Sequence, residues 1–326
     1  MPEITKDKDR GSVKNWKFAW WAFFAFVVFV YFFGLTIPLL GPDEPRYAQV
    51  AREMFLRGDW ITPTLGGFTW FEKPALLYWL EIVAFKLFGV SEFAARLGPA
   101  FFGLGTILSL GWLGSFLSKD RGADSDDAGS DQGKWIALIA ASTLGIIVFS
   151  RGASFDITVT FPITASLVSF YFFDQRRSES FAAKYLPLAL FYFFIGVALI
   201  GKGLIGVVFP AAIVGLFYLI SRRSPDRAFV VSSLWGTLLF VAVAAVWYLP
   251  MYEINGYKFI DEFIIQHHFQ RFTSNKYQHP QPFYFYFWIL PLMTIPWVPF
   301  FLAAVVSGIR DGYRQLRDHR SEQLQP

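Results

Sequence analysis

Eight apolar runs punctuate the chain, at residues 18–40, 97–118, 135–150, 157–173, 185–201, 203–220, 229–250 and 284–308. Most approach the roughly 20 residues that a helix needs to cross a bilayer. In lipid a backbone must satisfy its own polar groups, which a helix does within one segment. The succession therefore predicts an all-α fold, a polytopic transmembrane bundle of about eight spans. With 54% hydrophobic and only 17% charged residues, the chain is outside the soluble range.

Residues 74–89 are ambiguous, being apolar but short and carrying Glu81 and Lys86. The distribution of Lys and Arg arbitrates. If 74–89 lies along the surface, segments 1–17, 119–134, 174–184, 221–228 and 309–326 share one side. They hold the larger part of the chain's 29 Lys and Arg. If 74–89 crossed, SRRSPDR and RDGYRQLRDHR would face outward. The pattern predicts an interfacial helix and two cytoplasmic termini. The expected organisation is a cytoplasmic tail (1–17), a transmembrane domain (18–308) with outer loops 41–96 and 251–283, and a cytoplasmic tail (309–326). The acidic, Gly- and Ser-rich stretch 122–133 reads as a linker. The net charge of +4 is thus a topology signal, and no nucleic-acid partner is expected. The absence of cysteine excludes disulfides, thiolate metal sites and a lipoprotein anchor. The first run is too long for a signal-peptide core and no cleavage site follows it, so a retained helix is expected.

Charge gathers on the outer side. Gly41-Pro42-Asp43-Glu44-Pro45-Arg46-Tyr47 places two carboxylates and an arginine at a membrane boundary, where charge is costly. Residues 45–57 predict an amphipathic helix with Tyr47, Val50, Ala51, Met54 and Phe55 on one face, ended by Gly58. Asp43 and Glu44 have helix capping as the plain alternative. Glu72 and Lys73, next to Trp70 and Phe71, are either functional or a solvated pair. Asp156, in the turn that begins with Arg151, is a second candidate acid or a helix cap. Lys202, in Gly201-Lys202-Gly203, is a candidate cation or a snorkelling lysine. The second outer segment holds Glu253, Asp261, Glu262, His267, His268, Gln270, Arg271, Lys276 and His279. It lacks an H-x-x-x-H pair, so a zinc cage is poorly supported. A lipid phosphate needs cations, and a sugar hydroxyl attacking an anomeric carbon needs a carboxylate base. The outer face supplies both.

The run GPDEPRYAQVAREMFLRGDWITPTLGGFTWFEKPALLYWL, followed by FGVSEFAARL and later by HFQRF and QHPQPFYFY, resembles the lipid A aminoarabinose transferases. These belong to the polyprenyl-phosphate-sugar glycosyltransferases of GT-C type, together with the protein O-mannosyltransferases. The resemblance covers about residues 15–305. It implies an inverting transferase of the bacterial inner membrane, working on the periplasmic side. It implies catalytic roles for Asp43, Glu44 and Asp156, and donor phosphate contacts by Arg46, Tyr47, Lys73 and Arg271. It also implies a divalent metal, such as zinc, at Glu72 and His268. The expected partners are a polyprenyl-phosphate-linked sugar, lipid A or another periplasmic acceptor, and membrane lipids. Members of the family run further, with more spans and a soluble domain, so a partner supplying a C-terminal half is also expected. A protein or polysaccharide acceptor, a lipid-linked sugar transporter and an inactive fragment are the alternatives.

Overall fold

In a computed structural model the structure describes residues 6–120, 126–175, 180–270 and 282–322, and these are predominantly helical. They fall into two compact units: residues 1–109 with 149–272, and residues 110–148 with 273–326.

In the first unit, α1 (Lys6–Phe32) ends eight residues before the apolar run does. Gly34 at φ +73° turns the chain, which a residue with a Cβ adopts only at a cost. Then follows α2 (Asp43–Arg57), two residues longer at its start than expected, and capped by Gly58 in the left-handed conformation. Its buried face is Tyr47, Ala48, Val50, Ala51 and Met54, close to the stripe that the spacing predicts. A hairpin of β1 (Thr64–Leu65) and β2 (Phe68–Thr69) corrects the all-α expectation locally. Gly66 and Gly67 form its two-residue turn, both at positive φ, as such a turn demands. Helix α3 (Leu76–Phe88) is the segment read as interfacial. At thirteen residues it is too short to span.

Next come α4 (Glu92–Asp120), α5 (Asp126–Ala141) and α6 (Leu144–Ser150). Residues 126–133, expected as linker, are helical. The run 135–150 is not one straight helix: α5 and α6 meet at 64°. At the break the hydroxyls of Ser142 and Thr143 donate to the carbonyls of Leu138 and Ile139, a bonding pattern that bends helices.

The remaining helices are α7 (Phe155–Gln175), α8 (Phe181–Lys202), α9 (Ile205–Ser221) and α10 (Arg227–Phe259). Asp226 caps α10 by accepting from Ala228 N at 2.6 Å. Phe170 is the hub of their shared core, with the rings of Phe191, Phe217, Tyr218 and Phe229 at 5.5–5.8 Å. Helix α10 kinks at Gly256 and passes into a π-helical segment, Ile260–Gln270. Thus residues 251–270, expected as loop, are helical. The expected span 284–308 is broken into α11 (Phe285–Met293) and α12 (Val298–Glu322), because Pro296 between them lacks an N–H and restricts Ile295.

Four helices are long and apolar enough to cross a membrane: Glu92–Leu117, Phe155–Gln175, Ala183–Lys202 and Arg227–His267. The bent α5–α6 pair makes a fifth if it is one span. Phe18–Phe32 and Ile205–Ser221 are apolar but shorter. The fold is a polytopic helical membrane bundle, but among the described residues length and composition do not reach eight spans.

Candidate active site

The site grows from the segment between α1 and α2. Arg96, only 1% exposed, points from α4 into this segment. Its guanidinium donates to the carbonyls of Leu35 (2.9 Å), Ile37 (2.5 Å) and Pro38 (3.0 Å). It also donates to both carboxylate oxygens of Glu44, at 3.4 and 2.6 Å. Glu44 accepts in addition from Leu40 N (2.6 Å) and Ala153 N (2.9 Å). Four donors therefore occupy its two oxygens. The Arg96–Glu44 pair fixes the α1 exit, the start of α2 and the 151–156 turn to one another.

Asp43, one residue earlier, has a 60% exposed side chain that pairs with Arg46. Among the described residues helix α2 has no side-chain cap bond, and both acids lie in its first turn, where negative charge is favoured. The Arg46 guanidinium lies over the Tyr47 ring at 5.6 Å and the Trp70 ring at 5.7 Å. Burial acts to lower its pKa, but Glu72, Asp43 and Tyr47 outweigh it and raise the value. Burial pushes the Tyr47 hydroxyl up to about 12, helped by Asp43 and Glu72 and opposed by Arg46. Tyr47 stays a neutral phenol. Lys73 pairs with Glu72 at 3.2 Å. Asp43, Arg46, Tyr47, Glu72 and Lys73 thus form one neighbourhood.

Glu53 anchors the hairpin to α2. Its carboxylate accepts from the Thr64 hydroxyl (2.7 Å), Gln49 (3.0 Å) and the backbone of Gly66 (2.8 Å) and Gly67 (3.2 Å). Burial works the other way, but these bonds hold its pKa down at about 2. The next stretch hangs from other helices: Trp79 Nε1 donates to Trp60 O (2.6 Å), Trp247 Nε1 to Ile61 O (2.9 Å) and Asn255 to the Thr62 hydroxyl (3.1 Å). Lys258 donates to the Thr69 hydroxyl at 2.8 Å. These bonds carry Trp70, Glu72 and Lys73 to the start of α2.

Asp156 is paired with Lys202 and accepts from the Ser154 hydroxyl at 3.0 Å. Lys202 is therefore an ion-pair partner rather than a snorkelling lysine. Phe155 packs edge-on to Tyr47 at 4.8 Å, which links the Asp156 turn to α2. Arg271 lies outside the described residues, as does the side chain of His268. Among the described residues no group of three or more His, Asp or Glu is placed to hold a metal ion. The expected metal pair of Glu72 and His268 includes a side chain outside the described residues.

Sequence reasoning missed Arg96, Trp247 and Asn255. Arg96 reads as one more charge near a helix start. Only the fold brings it to Glu44.

The family model described as dolichyl-phosphate-mannose-protein mannosyltransferase matches residues 21–262. Similar curated proteins include the undecaprenyl phosphate-alpha-4-amino-4-deoxy-L-arabinose arabinosyl transferase of Yersinia enterocolitica, 29% identical over 289 residues. That match covers 88% of this chain and 49% of the relative. The Yersinia pestis protein of the same name is 28% identical over 287 residues, with the same coverage. Two crystal structures of ArnT from Cupriavidus metallidurans are similar at 25% identity. The apo form has a TM-score of 0.73 and is matched over 89% of this chain and 50% of its own. The form bound to undecaprenyl phosphate has a TM-score of 0.75, over 90% and 51%. The chain spans about half the length of these relatives.

Proposed function

The chain belongs to the dolichyl-phosphate-mannose-protein mannosyltransferase family, and on that premise we propose that it serves sugar transfer from a polyprenyl phosphate at a membrane surface. The observation that carries the reading is the gathering of Asp43, Arg46, Tyr47, Glu72 and Lys73 at the start of one interfacial helix. Relatives named for undecaprenyl phosphate and aminoarabinose make that donor class the first to test.

Lys73 and Arg46 hold the donor phosphate. Both are paired with carboxylates, and the exposed Arg46–Asp43 pair is weak enough to exchange for a phosphate. Tyr47 packs beside Arg46 and, uncharged, does not repel the phosphate. Arg271 is a further proposed phosphate contact. The acceptor oxygen bonds to the anomeric carbon from the opposite face while the bond to the phosphate oxygen breaks. Polyprenyl phosphate leaves with the bonding electrons, and Arg46 and Lys73 stabilise its charge. Asp43, the more exposed acid, takes the proton of a hydroxyl acceptor. For an acceptor that is already anionic, such as a lipid A phosphate, Asp43 positions it instead. Glu44 is a holding residue, because Arg96 and two backbone N–H groups occupy it. Asp156 is paired with Lys202 and supports the turn beside Tyr47.

The charge distribution supports a bacterial inner membrane location, with both termini cytoplasmic and the acidic motif periplasmic. A transporter reading calls for ionisable groups near the middle of the spans. In the described spans they lie toward the ends, as with Asp156 in α7 and Lys202 in α8. That favours chemistry at the surface. In a transfer assay with a polyprenyl-phosphate sugar, Asp43→Asn is expected to lower kcat by about 100-fold or more with a hydroxyl acceptor. Full turnover by the variant overturns the role of Asp43.

A further inference from the structure

Helix α3 carries two polar side chains that the proposed reaction does not use. Tyr78 and Glu81 are three residues apart, so they share one face of the helix. Both are 0% exposed. Among the described residues neither the Tyr78 hydroxyl nor either Glu81 carboxyl oxygen has a hydrogen-bond partner. A buried polar group without a partner costs folding free energy, so such groups call for an explanation. Among the described residues Arg46 Nε and Trp70 Nε1 are also buried and unpartnered. Tyr78 senses the charges of Glu81, Glu72 and Arg46, which places it beside the acidic motif. Aromatic rings connect the two: Tyr78 packs edge-on to Phe155 at 5.3 Å, and Phe155 to Tyr47 at 4.8 Å.

The charge state of Glu81 follows from its neighbours. Burial, and then the negative charge of Glu44, push its carboxyl well above the usual carboxylate range. Arg96 is already bonded to Glu44 and does not neutralise a second acid. A neutral carboxyl offers one donor and one acceptor, and a phenol offers the same. That pair complements a neutral hydroxyl, and it repels a phosphate less than a carboxylate does.

We propose that Tyr78 and Glu81 form a hydroxyl-binding subsite beside the acidic motif. Its ligand is one neutral hydroxyl group, supplied by the sugar of the donor or by a water in its place. The sugar assignment rests on the transfer reading above, whereas the existence of the site does not.

The test uses the full chain in lipid nanodiscs, with Glu81→Gln, Glu81→Leu and Tyr78→Phe. Thermal melts establish folding; Glu81→Leu is expected to melt at or above the parent, since it removes an unpartnered polar group. Binding is then titrated with undecaprenyl phosphate alone and with an undecaprenyl-phosphate sugar. A sugar source predicts unchanged affinity for the bare phosphate in every variant. For the sugar-bearing lipid it predicts about a tenfold loss in Glu81→Leu and Tyr78→Phe, recovered by Glu81→Gln to within about threefold, since a site built for a hydroxyl discriminates by its unpaired partners. Infrared difference spectra between the parent and Glu81→Gln report the Glu81 carbonyl without any need for transfer. A hydrogen-bonded neutral carboxyl that weakens in Tyr78→Phe, with sugar binding unchanged, assigns the ligand as water. If the parent binds neither lipid, the transfer reading fails and the infrared result alone decides the site. An ionised Glu81, a neutral one free of hydrogen bonds, or equal damage by Gln and Leu overturns the proposal.

Discussion

Arg96 shows how one side chain can fix the start of a helix where the proposed chemistry sits. It is buried, and it bonds to three carbonyls and to Glu44. Removing one partner of a buried ion pair leaves the other uncompensated, at a cost of about 3–5 kcal/mol. Arg96→Met is therefore expected to lower the melting temperature sharply in detergent, with Glu44→Gln less damaging because an amide keeps an acceptor for Arg96. Equal melting of Arg96→Met and the parent removes the anchoring role. Glu53 makes a pH prediction. Its folded pKa is about 2 against an ordinary 4.5, so the group binds protons less readily when folded. Its stabilisation is complete above 4.5 and is lost as the pH falls through about 2. Glu53→Gln is expected to melt lower than the parent at about pH 7 and to converge with it on acidification. A difference that stays constant across that window contradicts the linkage. These two residues also mark a limit of the sequence. Glu44 and Arg96 are 52 positions apart, and nothing in their local spacing pairs them. Glu53 has its hairpin partners, the Thr64 hydroxyl and the Gly66 and Gly67 N–H groups, 11 to 14 positions away.

At the level of elements, legibility followed local period. The face of α2 was readable because Tyr47, Val50, Ala51 and Met54 recur at helical spacing and the structure buries them. Gly66-Gly67 between Leu65 and Phe68 was an equally local signal for a hairpin, and it was lost in the apolar character of its surroundings. The breaks at Ser142–Thr143 and at Pro296 were hidden for a different reason. Hydropathy averages over a window, whereas a bend comes from one hydroxyl or one missing N–H. Close helix packing is likewise a single-residue matter. Gly206, where α9 begins, faces α8 so closely that an added Cβ would lie 2.3 Å from the Ala198 carbonyl carbon. Backbone on a packed helix has little room to yield. Gly206→Ala is expected to cost about 1–3 kcal/mol by overpacking, whereas Gly215→Ala, which meets nothing within 4 Å, should be near neutral. Thermal melts of the two variants check this; equal melting contradicts the close approach of α8 and α9.

For the whole molecule, the question is which part of the proposed transfer lies within this chain. The chain spans about half the length of its relatives, yet the residues proposed for the donor phosphate lie within it. Lys73, Arg46 and Tyr47 are held by α2, α3 and the hairpin, and the hairpin is tied to α10 through Lys258. The neighbourhood proposed for the phosphate is therefore a property of this chain's own first unit. Binding of polyprenyl phosphate is expected without any added protein, whatever transfer requires. A ligand that binds only the folded state stabilises it by about 2.7 kcal/mol at 100 times its Kd. Undecaprenyl phosphate should then raise the melting temperature in a saturable way, and undecaprenol, which lacks the phosphate, should not. Lys73→Met combined with Arg46→Met is expected to weaken the phosphate response by about 100-fold, two charge-assisted contacts at about 1.4 kcal/mol each. An unchanged response in that double variant places the phosphate elsewhere in the chain. No response in the parent shows that phosphate recognition needs residues beyond this chain.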